Sequence, residues 1–123
     1  MFLIDTNVLI LGLAGKMPDA KFLQHVIEDE TFCLSVITVA EFFTRASGDE
    51  EKILEKLFHV FLPLAIDENV AKQAGWYRKK YFKKSQAKLP DYFLAAQAKV
   101  YRCTLVTHNT RDFPMKDIEI VSP

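Results

Sequence analysis

Four acidic side chains in this chain stand where an apolar segment begins or ends, each with apolar residues close by: Asp5 in Phe2-Leu3-Ile4-Asp5-Thr6-Asn7, Glu41 in Val39-Ala40-Glu41-Phe42-Phe43, Asp91 in Leu89-Pro90-Asp91-Tyr92-Phe93, and Asp112 in Thr110-Arg111-Asp112-Phe113. A carboxylate in such a setting is costly to bury unless something positive compensates it. Four of them in one small fold call for a shared compensation, and a divalent metal is the simplest one. The fold must then be one that gathers segment ends at a common edge.

The pattern between the acids meets that demand. Phe2 to Asp5 is a short apolar run ending in Asp-Thr-Asn, residues suited to cap the helix that Val8 to Ala14 continues. Asp19 is placed to cap a second helix with Phe22, Leu23, Val26 and Ile27 on one face. Phe32 to Val36 reads as a buried strand, Thr38 to Ala46 as a helix carrying Glu41, and Gly48 to Leu57 as a helix opened by three acids that suit its dipole. Phe58 to Ala65 reads as a third strand. Asp67 caps a long helix to about Lys84, Pro90 opens another to about Tyr101, Thr104 to Thr107 is a fourth strand, and Ile118 to Val121 a fifth. Apolar strands separated by helices predict a parallel sheet covered on both faces, a three-layer α/β/α domain. With the first and fourth strands as neighbours the order is 3-2-1-4-5, and the acids meet beyond the carboxyl ends of the strands.

At 123 residues the chain is expected to be a single domain, 1–123, able to bury roughly two thirds of its unfolded surface. Its apolar N-terminus lacks a basic leader and carries Asp5, so it reads as strand and helix rather than secretory signal. No segment approaches the roughly 18 apolar residues of a membrane span, and a soluble, cytoplasmic protein without a membrane partner is expected. Cys33 and Cys103 lie in apolar segments without His or Cys partners at zinc-ligand spacing. In the expected sheet they are two strand spacings apart, about 9.6 Å, and should stay free thiols. His108 reads as a solvated loop residue.

The zero net charge is a cancellation. Through Ala71 there are 12 acidic and 5 basic residues; from Lys72 onward there are 11 basic and 4 acidic. Lys79, Lys80, Lys83 and Lys84 belong to an acid-free stretch from Lys72 to Lys88, interleaved with Trp76, Tyr77, Tyr81 and Phe82. Such a segment can neutralise phosphates while its rings stack or pack, which suits a nucleic acid; the plainer reading is a solvated helix face whose aromatics serve the core.

Taken together, the Ile-Asp-Thr-Asn-Val opening, the Glu in the helix after the second strand, the Asp opening a helix of Leu-Ala-Ala type, and the strand ending Leu105-Val106-Thr107-His108-Asn109-Thr110-Arg111-Asp112-Phe113 resemble the PIN-domain ribonucleases. In size and motif spacing the chain looks like the VapC-like toxins of type II toxin-antitoxin modules. The resemblance implies that Asp5, Glu41 and Asp91 bind Mg²⁺ or Mn²⁺. The family's fourth acid falls eighteen residues after the third, where this chain has Asn109, and Asp112 stands three residues further on. Asn109 or Asp112 therefore completes the site. Thr107 resembles the family's strand-end hydroxyl, and Thr6 stands beside Asp5; each reads either as a group positioning substrate or water, or as a plain turn or capping residue. The implied reaction is endonucleolytic cleavage of single-stranded RNA by metal-activated water, with 5′-phosphate and 3′-hydroxyl products. A homodimer and a cognate antitoxin, whose tail enters the acidic groove, are implied as partners. Two rival readings stand beside it. A receiver-like phosphoacceptor also gathers acids around Mg²⁺, but Lys99 and Lys116 lie in the wrong context for it. A catalytically degenerate PIN fold acting as an RNA-binding or interaction module draws its support from Asn109.

Overall fold

A computed structural model describes residues 1–123. Its sheet has four parallel strands, β1 (Phe2–Ile4), β2 (Phe32–Cys33), β3 (Thr104–Val106) and β4 (Ile120–Val121), in the order β2-β1-β3-β4. The central strand β1 pairs Leu3 with Cys33 on one side and with Leu105 on the other. Six helices flank the sheet: α1 (Thr6–Leu13), α2 (Asp19–Glu28), α3 (Val36–Arg45), α4 (Gly48–Val60), α5 (Glu68–Tyr81) and α6 (Leu89–Tyr101).

Strand alternation divides the core in two. Leu3, Cys33 and Leu105 point to one face and pack with Val70, Ala74 and Tyr77 of α5 and Leu94, Ala95 and Ala98 of α6. Ile4, Phe32 and Val106 point to the other, against Val8 and Leu9 of α1, Leu23 and Val26 of α2, Phe42 of α3 and Leu54 of α4. Leu3, Ile4, Leu105 and Val106 are fully buried, each contributing about 1.5–3 kcal/mol. Both faces are covered, as near-continuous apolar strands require. Helices α1 and α2 approach so closely that a Cβ on Gly12 would lie 2.7 Å from Leu23 Cδ2. The same Cβ would lie 3.3 Å from Asp19 O, so Gly12 admits the start of α2 against α1.

The expected third strand, Phe58 to Ala65, does not form. Ser47 and Glu50 make a reciprocal cap at the start of α4, and Leu54, Leu57, Phe58 and Phe61 recur at helical spacing, packing on the second core. Phe58 to Val60 therefore complete α4. Only Leu64 joins the sheet, through a single parallel bridge to Ser35 beside β2. The five-strand order 3-2-1-4-5 is thus corrected to four strands, whose neighbour relations otherwise match. Asp19 is the first residue of α2 and makes no capping bond.

Cys33 and Cys103 are free and buried. Strand β1 separates their strands, but both side chains turn to the same face. The Cys103 thiol, which itself donates to Tyr101 O at 3.7 Å, and then burial push the Cys33 thiol far above its ordinary value.

Candidate active site

The carboxyl edge of the sheet is built from backbone upward. β1 ends at Ile4, and Asp5, held there by its N–H bond to Val106 O of β3 (3.0 Å), becomes the N-cap of α1: its Oδ1 accepts from Thr6 N at 2.7 Å. Its other oxygen accepts from Thr107 Oγ1, also at 2.7 Å. Asp5 is 8% exposed and Thr107 fully buried, so both oxygens of this carboxylate are fixed by short bonds. Thr107 Oγ1 in turn accepts from Asn109 N at 3.0 Å, which starts the turn leading to the 3-10 helix Thr110–Asp112. Thr107 is a turn residue and an orienting residue together.

Glu41 comes from the second turn of α3, which Ser35 caps through Ile37 N. It is exposed, and its Oε1 accepts from Thr6 Oγ1 at 2.9 Å. Thr6 thus orients one acid through its hydroxyl and another through its amide. Asp91 stands in the first turn of α6, where the helix dipole favours a negative charge, and its Oδ2 accepts from Lys88 N at 2.9 Å. Burial, and then the facing charges of Asp5, Asp112 and Glu41, push the Asp91 carboxyl above its ordinary value; the Lys88 N–H opposes them. Asp5, Asp112 and Glu41 therefore all act on Asp91 at this edge.

The donor set is hard oxygen throughout, the kind that selects Mg²⁺ or Mn²⁺. No three of these groups are held close enough together to form a closed cage. Mg²⁺ needs none, since it retains waters and is held by one or two carboxylates together with substrate phosphate. The residues present fit such an ion.

The basic stretch divides. Tyr77 is buried and Tyr81 half-buried, whereas Trp76 and Phe82 are 62% and 55% exposed. Lys83 and Lys84 line a cleft with Asn109 and Asp112, whereas Lys79 lines a separate groove with Phe82 and Leu89. Lys80 lies over the Tyr81 ring, 5.3 Å from its centre. Two residues have contacts here that local sequence did not show. His108 is not a free loop residue: its Nε2 pairs with Oδ2 of Asp19 at 2.5 Å. Asp19 is only 2% exposed, and this pair ties the end of β3 to the start of α2. Arg111 joins Lys83 and Lys84 in the cleft. The His108–Asp19 pair spans 89 positions and left no local signal; Arg111 was legible only as one of several arginines, with Arg45 and Arg102, that could serve an RNA path in place of the lysines.

This architecture has close counterparts. The PIN domain family model matches residues 2–119. Ribonuclease VapC10 of Mycobacterium tuberculosis is 30% identical over 116 residues, covering 94% of this chain and 87% of that protein. A toxin-antitoxin complex from Klebsiella pneumoniae contains a chain that superposes with a TM-score of 0.75 at 27% identity, over 98% of this chain and 100% of that one. VapBC2 from Rickettsia felis, bound to a DNA fragment from its promoter, gives a TM-score of 0.82 at 16% identity over 99% and 98% of the two chains, a likeness of fold. With its acids at the carboxyl edge of a β2-β1-β3-β4 sheet, this chain belongs to the PIN domain family and is a homologue of the VapC ribonuclease toxins.

Proposed function

We propose that the chain is an endoribonuclease dependent on Mg²⁺ or Mn²⁺, one nuclease domain over residues 1–123, that cuts single-stranded RNA as the toxin of a toxin-antitoxin pair. The observation that carries the reading is the meeting of acids from separate segments at one sheet edge: Asp5 and Glu41 are both bonded to Thr6, and the charges of Asp5, Asp112 and Glu41 help to raise the Asp91 carboxyl beside them. Asp5, Glu41 and Asp91 would hold the ion. When bound, a divalent cation supplies acidification of water and neutralisation of charge on the phosphate.

The chain's own residues prepare that chemistry. Thr107 and the Thr6 amide fix the two oxygens of Asp5, and the Thr6 hydroxyl fixes one of Glu41. Each bonded oxygen keeps a further lone pair, so orientation is gained without loss of all acceptor capacity. The Lys88 amide holds Asp91 at the helix start. Asp112 restores the fourth charge that Asn109 lacks, which favours a competent nuclease over a degenerate binding module. Thr6, Thr107 and Asn109 take the positioning roles, and Lys79, Lys80, Lys83 and Lys84 give the rim the positive charge that an acidic site needs to hold a polyanion.

The printed descriptions of the structural relatives support an antitoxin partner. An antitoxin Arg or Lys entering the acidic edge would pair with Asp5, Glu41 and Asp91. We also assign a homodimer and a cytoplasmic setting; no helix is long and apolar enough to cross a membrane. The test is cleavage of single-stranded RNA with Mg²⁺ or Mn²⁺, blocked by EDTA and absent in Asp5→Asn. RNA binding without cleavage under every metal condition would return the chain to the binding-module reading.

A further inference from the structure

Beside the acids lies a cleft of about 640 Å³ with no apolar side chain in its wall, a volume within the range of small-molecule sites. One wall is the segment after α5, with Lys83, Lys84 and Gln86; the other is the segment after β3, with Asn109, Arg111 and Asp112. Ser85 holds the walls together: its hydroxyl donates to Asp112 O at 2.8 Å and accepts from Ala87 N at 2.9 Å. The His108–Asp19 pair anchors the second wall from behind. Neither segment is a loose loop end.

The charge balance is one-sided. Lys83, Lys84 and Arg111 are exposed and form none of the ion pairs in the molecule, and Asp112 is the only acid in the wall. Three cations against one carboxylate in the wall, with Lys83 Nζ resting 5.7 Å from the centre of the Phe82 ring, fit an anion, and they would repel the basic side chain that suits the neighbouring acidic edge. The cleft shares Asn109 and Asp112 with that edge, but Asp5, Glu41 and Asp91 do not line it. Its occupant therefore sits next to the acids and not on them. The imidazole of His108, held through its Nε2 by Asp19, is the one aromatic ring in the wall, so a base there meets a single fixed ring together with amides and hydroxyls for its edges.

We propose that this cleft seats the nucleotide flanking the scissile phosphate, with Lys83, Lys84 and Arg111 on its phosphate. The inference rests on the ribonuclease reading and narrows the basic stretch to its last two lysines plus Arg111. Lys79 and Lys80 lie outside the cleft wall.

The test is the salt dependence of single-stranded RNA binding, measured with Asp5→Asn protein so that the RNA stays intact. Adding K83Q, K84Q and R111Q together should weaken binding and lower the slope of log K against log salt by about 2, at about 0.7 for each lost contact to a single strand. Adding K79Q and K80Q should lower it less. In the cleaving protein the same triple replacement should raise KM more than about tenfold with kcat nearly kept. All three side chains are exposed, so the melting midpoint should hold and separate the effect from misfolding. An unchanged slope, or an equal loss from Lys79 and Lys80, overturns the cleft while leaving the nuclease standing. So does a triple variant that keeps RNA binding but loses binding of an acidic peptide. Slope loss in a protein that never cleaves RNA keeps the cleft and removes the nuclease.

Discussion

Thr107 Oγ1 donates to Asp5 Oδ2 at 2.7 Å, a buried bond between residues 102 positions apart that links the ends of neighbouring parallel strands. Asp5 N also bonds Val106 O, so the backbone sets where the carboxylate starts and the threonine sets where it points. Thr107→Val keeps the shape and removes the donor. Stability should fall by about 1–2 kcal/mol as the acceptor loses its partner, and metal-dependent cleavage by about 10- to 100-fold, as for partners that orient metal ligands. Thr107→Ser should recover most of both. Melts and Mn²⁺ titrations of cleavage check this; an unaltered Mn²⁺ dependence in the valine variant leaves Thr107 with only its turn role.

His108 and Asp19 make the second long-range tie. Removing the imidazole in His108→Ala strands a carboxylate that is only 2% exposed. Since the histidine side chain is 35% exposed, water can enter and soften the loss, to about 2 kcal/mol. Adding Asp19→Asn should recover part of it, because the buried charge is then gone. Denaturant melts of the two single variants and the double variant give the coupling. Additive losses would show that the two side chains merely lie side by side.

The Asp91 carboxyl fixes the sign of a pH effect in metal-free protein. Unfolded, it ionises near 3.8; folded, burial and the three facing acids keep its proton to higher pH. The folded state therefore binds more protons above pH 3.8, and this contribution to stability falls as pH rises through the folded value and then levels off. In EDTA, Asp91→Asn should melt higher than the parent at pH 7 and no higher below the unfolded pKa. Its amide oxygen can still accept from Lys88 N, so the cap is kept. Excess Mn²⁺ should reverse the order, because only the parent gains stability from the ion by mass action. A variant that melts lower at pH 7 in EDTA means that these charges do not oppose folding.

The parts legible in the sequence were those with local signatures. Asp5 capping α1, Asp91 in the first turn of α6 and the apolar runs of β1 and β3 all follow from spacing and capping chemistry, and with them the edge where the acids meet. Phe58 to Ala65 misled because a short apolar run is ambiguous between strand and helix. The cap at Ser47 and the packing of Leu54, Leu57 and Phe58 decided it, and packing is tertiary. His108 was misread for the same reason: its partner is 89 positions away on another element. The basic stretch was visible as charge, but its division between Lys79 and Lys83 depends on where α5 ends, at Tyr81 rather than Lys84.

Asp112 and Asn109 pose the last question, which of them completes the site. Asn109 occupies the position eighteen residues after Asp91 but brings no charge, and its amide N–H is committed to Thr107. Asp112, held by the 3-10 turn through its N–H bond to Asn109 O at 2.9 Å, raises the Asp91 carboxyl through its charge. Asp112→Asn should therefore lower metal-dependent cleavage by more than about tenfold. Asn109→Asp in that background should restore part of the loss by returning a carboxylate to the same turn. In the otherwise unchanged protein, Asn109→Asp adds a further like charge, so it should lower the melting midpoint in EDTA and recover it with Mn²⁺. The decisive measurement is the Mn²⁺ concentration for half-maximal cleavage in the three variants. If Asp112→Asn cleaves like the parent at every Mn²⁺ concentration, Asp5, Glu41 and Asp91 are sufficient, and Asp112 serves only the turn and the wall of the cleft.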